Sequence, residues 1–160
     1  MVRDKKKLLI KIVFLVSILA LASAFFIEYI LGHQPCNLCI FERIPYLLAI
    51  IIILLNFKFN QFEKFFILFL LIVFLFGVIL SLYHLGIEQG FIQESLVCDL
   101  KSGSNLLSKE EILKQLQEKN VSCKDVTFKI FGLSLTSYNI LISLLFSIGV
   151  GKIYFNYDKN

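Results

Sequence analysis

The sequence predicts an all-α membrane protein, a bundle of four transmembrane helices with one long extracytoplasmic loop between helices 3 and 4. Three observations carry that prediction. Of 160 residues, 58% are hydrophobic and only 18% are charged, against about 45–50% and about 25% in an ordinary soluble domain. Mean hydropathy is +0.80. The apolar residues fall in four long blocks, with basic residues gathered at particular ends of them. The net charge of +4 is therefore read as membrane topology. No basic stripe interleaved with aromatics is present, which argues against a nucleic-acid partner. The whole chain, 1–160, reads as a single membrane domain.

The first span is expected over residues 8–31, behind a start that carries Arg3, Lys5, Lys6 and Lys7. Its 24 residues suffice for a crossing, which takes roughly 20. Ala22-Ser23-Ala24 has the look of a signal-peptidase site, but Phe25-Phe26-Ile27 continues the run past it, and a signal h-region is only about 7–15 residues long. Residues 32–43 form a short loop. The second run, 44–59, is the weak one. Its 16 residues reach only about 24 Å against a core of about 30 Å. It crosses if the helix begins around Cys39, or if Lys58 snorkels and the bilayer thins. Residues 60–64 make a tight polar connection to a third span, 65–87. The one large hydrophilic segment is 88–130, and the fourth span is 133–155. Within the long loop, Ser108 and Glu111 have capping-box spacing, and a short amphipathic helix is expected over 109–119.

Orientation follows from the excess of basic residues on the cytoplasmic side of membrane proteins. The N-terminal segment has four Lys/Arg; Lys58 and Lys64 flank the second connection, and Lys152 and Lys159 the last. The 32–43 loop has only Arg43, and the long loop has six lysines against seven acids. Both termini are expected in the cytoplasm and both cysteine-bearing loops outside it, with the protein in the inner (plasma) membrane. All four cysteines then share the oxidising compartment, where even numbers of thiols tend to pair.

Cys36-Asn37-Leu38-Cys39 is the candidate reactive pair. Zinc competes for it, because Cys-x₂-Cys is a common half-site, His33 is near, and Cys98 and Cys123 make a possible Cys₄ set. Structural disulfides compete as well. Against zinc, Cys98 and Cys123 are separated by 24 residues. Redox exchange needs an attacking thiolate, an accessible disulfide and a leaving thiolate, and two pairs on one face supply a relay. Cys98 and Cys123, in the long loop, suit a protein partner. Cys36 and Cys39, at the bilayer edge, suit a lipid-soluble two-electron acceptor, which a quinone is. Arg43 stands four residues after Cys39, on the same face if that stretch is helical. There it is expected to stabilise the Cys39 thiolate and charge developing on a quinone oxygen. His84, near the end of the third span, is a weaker candidate for a quinone carbonyl or a proton shuttle. Glu28, Glu42 and Glu88 read as solvated interfacial acids, and Tyr46 and Tyr83 as belt aromatics.

Pro35-Cys36-Asn37-Leu38-Cys39-Ile40-Phe41-Glu42-Arg43, two more cysteines in a long outer loop and four spans resemble the disulfide-bond formation protein B (DsbB) family. The stretch around Gly132, running into the last span, resembles the family's turn into its final helix, with Thr136 and Tyr138 where members often have Pro and Trp. The resemblance implies reoxidation of a DsbA-like thioredoxin-fold partner and transfer of the electrons to ubiquinone or menaquinone. It implies that Cys36 and Cys39 are the quinone-linked pair, with Cys39 in contact with the quinone and Arg43 in its site. It further implies that Cys98 forms the mixed disulfide with the partner and that Cys123 can bridge to Cys36. A vitamin K epoxide reductase-like bundle fits less well, because its Cys-x-x-Cys lies late in the chain.

Overall fold

A computed structural model describes residues 2–93, 122–124, 129–130 and 132–157. The expected 109–119 helix and Cys98 lie outside the described residues.

Four helices are long and apolar enough to cross a membrane: Lys6–Tyr29, Asn37–Lys58, Glu63–Glu88 and Leu135–Phe155. The first is the lipid-spanning part of α1, Val2–Tyr29. The second is built of two pieces, α2 (Asn37–Phe41) and α3 (Ile44–Lys58). This resolves the weak second run. The cysteine block is itself helical, and the added residues lengthen the 44–59 stretch to 22, enough to cross. The break at Glu42–Arg43 has a local cause. Pro45 sits in the first turn of α3; it has no N–H for the Phe41 carbonyl, and its ring crowds that oxygen.

The third span, α4 (Glu63–Glu88), follows a 3₁₀ turn, Asn60–Phe62. Gly90 closes it in the left-handed region at φ 77. The Phe91 N–H bonds the Gly86 carbonyl at 2.9 Å and the Gly90 N–H bonds that of Ile87 at 3.0 Å, a Schellman closure that satisfies two end carbonyls. The last span, α5 (Leu135–Phe155), begins two residues later than expected. Leu133–Ser134 (β2) instead pairs antiparallel with Lys129–Ile130 (β1). Gly132, at φ 84, supplies the turn between the strands, and the Ser134 hydroxyl caps α5 by accepting from the Ser137 N–H at 3.3 Å.

α4 packs most extensively on α5, while α1 packs mainly on α3 and meets α5 over a shorter contact. Ile10, Val13, Ala49, Ile53, Leu70, Phe74 and Val150 fill the centre. Side chains such as Leu145, Ile79 and Phe76 point outward, as expected where the surroundings are lipid rather than water. The polar residues are turned in: Ser17, Asn56, Ser81, Ser143 and Ser147 are all buried. At the end of the bundle holding the start of α1, Lys6 Nζ lies 2.8 Å from Glu63 Oε2 and stacks over the Tyr157 ring.

Candidate thiol site and adjoining cavity

Cys36 precedes α2 in extended geometry (φ −69, ψ 167) and acts as its N-cap, its sulfur accepting from the Cys39 N–H at 3.3 Å. The three-residue separation of the two cysteines thus places one at the cap and the other in the first turn. Their sulfurs lie 2.9 Å apart as free thiols. The two face different surroundings. Cys36 is buried with Leu38, Ile87 and the disulfide-bonded Cys123. Cys39 lines a cavity of about 280 Å³.

Behind Cys36 lies His84, 1% exposed. Its Nε2 is 3.5 Å from Cys36 Sγ and its Nδ1 is 2.9 Å from Glu42 Oε1. The Thr136 hydroxyl donates to Glu88 Oε1 at 2.6 Å, and its oxygen is 3.2 Å from His84 Nδ1. The Cys36 thiol is pulled from its ordinary 9.0 down to about 5. The main cause is the Cys39 hydrogen bond to its sulfur. Burial opposes the shift, and the hydrogen bond and charge of His84 add to it. The acidifying contacts therefore converge on Cys36, whereas the sequence directs Arg43 toward a Cys39 thiolate. Arg43 pairs with Glu28 at 2.5 Å and stacks on Phe25.

The cavity lies between α1, the α2–α3 junction and α5. Ala20, Leu21, Ala24, Ile27, Leu135 and Ile142 make its apolar wall, and His33, Gln34, Cys39, Glu42, Arg43, Tyr46, Thr136 and Asn139 add polar groups. His84 is not in that wall; it reaches the cavity through Glu42 and Thr136. Its place on α4, facing α2, sets its ring against Cys36. Three acids also differ from expectation. Glu42 is 8% exposed and bonded to His84, Glu88 is bonded to Thr136, and Glu28 holds Arg43. Tyr46 is no belt residue: it is buried, its hydroxyl donating to Asn139 Oδ1. The sequence held faint signals of this, since Glu88 follows His84 by four residues and Thr136 and Asn139 lie three apart, each pair sharing a helix face.

Cys36, Cys39 and His84 could also approach a metal ion, their ligand atoms lying within 4.8 Å of one another. The sulfurs, however, are 2.9 Å apart. Two Zn–S bonds of about 2.3 Å at a tetrahedral angle hold sulfurs roughly 3.8 Å apart. Holding zinc would therefore require the two sulfurs to move apart.

A family model for Disulfide bond formation protein DsbB matches residues 6–151, nearly the whole chain: the first three spans and most of the fourth. The chain belongs to the DsbB family. It is also 36% identical over 163 residues to the uncharacterized protein RP370 of Rickettsia prowazekii (strain Madrid E), covering 99% of this chain and 92% of the relative. No solved structure matches it. As a DsbB-family protein it is a multi-pass inner-membrane protein of disulfide-bond formation, with the thiol–disulfide chemistry of that family.

Proposed function

We propose that this protein reoxidises a DsbA-like extracytoplasmic thiol oxidase and passes the electrons through two cysteine pairs to a membrane quinone. The observation that carries the reading is the division of labour in Cys36-x-x-Cys39. One sulfur packs with Cys123 and the other lines a cavity. In this reading the cysteine loops are extracytoplasmic and both termini cytoplasmic, as the basic residues imply.

The cavity's chemistry fits a quinone. Its wall is mostly aliphatic with few polar groups, the usual make-up of a small-molecule site, and its size is near the lower limit of such sites, roughly 300 Å³. It is large enough for a ring but not for a long prenyl tail, which would leave along the sparser α1–α5 seam. Arg43 and Cys39 would hold the ring. A bound quinone supplies the sink for two electrons and two protons.

The chain's own residues account for the thiol steps. Two partner thiols reduce the Cys98–Cys123 disulfide and become a disulfide themselves. Cys98 and Cys123, now thiols, next reduce the Cys36–Cys39 disulfide, with Cys123 meeting Cys36. Attack of Cys123 on the Cys36 sulfur releases Cys39 as the thiolate on the cavity wall, and Cys98 then attacks Cys123 to re-form their disulfide, with acidified Cys36 as the good leaving thiolate of that second exchange. Cys39, on the cavity wall, is then the thiol from which electrons depart. His84, Glu42 and Thr136 connect Cys36 to the cavity by hydrogen bonds and suit the movement of the protons released.

The test is quinone reduction by purified protein supplied with a reduced thioredoxin-fold partner. Stoichiometric quinol and oxidised partner are expected. Partner oxidation with no quinol formed overturns the reading.

A further inference from the structure

We propose that Asn139, oriented by Tyr46 and Ser81, is a second quinone contact, donating a hydrogen bond to the ring carbonyl remote from Cys39. The proposal deepens the quinone reading above and rests on it.

The polar groups of the cavity wall follow the helices in steps: Arg43 and Thr136 stand where α3 and α5 begin, with Cys39 a turn before Arg43, and Tyr46 and Asn139 lie one turn further along. Arg43 and Tyr46 are three residues apart across the start of α3, and Thr136 and Asn139 are three apart on α5. Three helical residues rise about 4.5 Å and return to the same face. Both walls thus carry a polar group at each step, at a spacing on the order of that between the two carbonyl oxygens of one quinone ring. A ring gripped at one oxygen by Cys39 and Arg43 meets Asn139 with the other.

The hydrogen-bond inventory leaves Asn139 one group to offer. An amide has two N–H donors and an acceptor oxygen. Its oxygen accepts from the Tyr46 hydroxyl, and one N–H goes to Ser81 Oγ at 2.8 Å. The second N–H has no acceptor among the described residues. The two bonds tie α5 to α3 and α4, so they fix the amide plane, and that preorganisation lets the remaining donor discriminate. Bonds of this kind between membrane helices are individually modest as glue. An asparagine inside a span is costly and marks function more often than packing. A site that donates to a ligand oxygen also rejects a ligand lacking it far better than an apolar wall does.

The test uses the full-length protein in detergent, with the Cys36–Cys39 pair oxidised so that no thiol reacts. It is titrated calorimetrically with a decyl-tailed benzoquinone and with a decyl cyclohexadienone that keeps one ring carbonyl. Asn139→Leu is expected to raise the Kd for the quinone about tenfold, the scale of one lost hydrogen bond, and to leave the Kd for the one-carbonyl ring within about twofold. Asn139→Asp, which keeps the size and removes the donor, should do the same and covers the case in which the leucine variant fails to fold. Equal quinone affinity in wild type and variants overturns the proposal alone. So does a matching loss for both ligands, which marks a packing role. Wild-type protein that binds neither quinone nor dienone overturns the quinone reading itself, and this proposal with it.

Discussion

The guanidinium of Arg43 lies 2.5 Å from the carboxylate of Glu28, so the cation on the cavity wall is tied to α1. It also stacks on Phe25, one turn before Glu28 on the same helix. An interfacial arginine that merely snorkels is left loose in the headgroups; this one is held on two sides, and both side chains of the pair are mostly buried. Arg43→Ala is expected to raise the quinone KM at least tenfold while partner thiol exchange stays within about twofold, because the thiol contacts of Cys36 do not include Arg43. Glu28→Gln keeps the shape and removes the charge, so it should raise the same KM by a smaller factor, roughly threefold, through a less fixed guanidinium. Steady-state kinetics with quinone varied separates the two, and an unchanged KM in Arg43→Ala would overturn the quinone role of Arg43.

The acidity of Cys36 gives a pH prediction with a definite sign. Its pKa is lowered in the folded protein, from 9.0 to about 5. The thiolate therefore persists at neutral pH, and alkylation of Cys36 should run at full rate until the pH falls toward 5. The associated stability is complete above the unfolded value and is lost as the pH drops through the folded one. Cys39→Ala removes the largest acidifying contact while burial remains, so the alkylation midpoint should move well upward. His84→Ala should move it in the same direction. A wild-type midpoint near the ordinary thiol value would remove Cys36 as the ready leaving group.

Spans and thiols were legible in the sequence because each is a local pattern. A run of about 20 apolar residues has one use in a membrane protein, and Cys36, Cys39 and Arg43 sit within eight positions of one another. The weak second span was resolved by the motif itself, since Asn37–Phe41 became helix and completed it. The environment of His84 was not legible. Glu42 and Thr136 lie 42 and 52 residues from it, and only the packing of α2, α4 and α5 brings them together. Acids at a membrane boundary look alike in sequence whether they face headgroups or, like Glu42, a buried imidazole. Asn139 was missed for the same reason. Its partners, Tyr46 and Ser81, stand on two other helices.

Metal content offers an independent check on the thiol pair. A zinc site built from Cys36, Cys39 and His84 would have to spread the sulfurs from 2.9 Å and recruit a fourth ligand. Protein purified without chelator is expected to hold well under one zinc per chain. Added chelator should leave turnover unchanged and leave both thiols titratable. Stoichiometric zinc with protected thiols would support the competing structural reading.

The order of the relay is tested by trapping it. If Cys98 receives the partner and the partner's second thiol resolves that adduct, a partner keeping only its attacking cysteine should accumulate on the wild-type protein as a linked species that runs at the summed mass on a non-reducing gel and collapses with reductant. Cys98→Ala should show no such species. Cys39→Ser should lower quinone reduction at least a thousandfold, since a hydroxyl neither forms the Cys36 disulfide nor passes electrons on, while Cys36 remains alkylatable. Its pH midpoint should shift as well, because serine replaces the thiol that acidifies Cys36 most. Wild-type turnover in Cys39→Ser would break the assignment at its centre. The cavity would then border the relay without receiving its electrons.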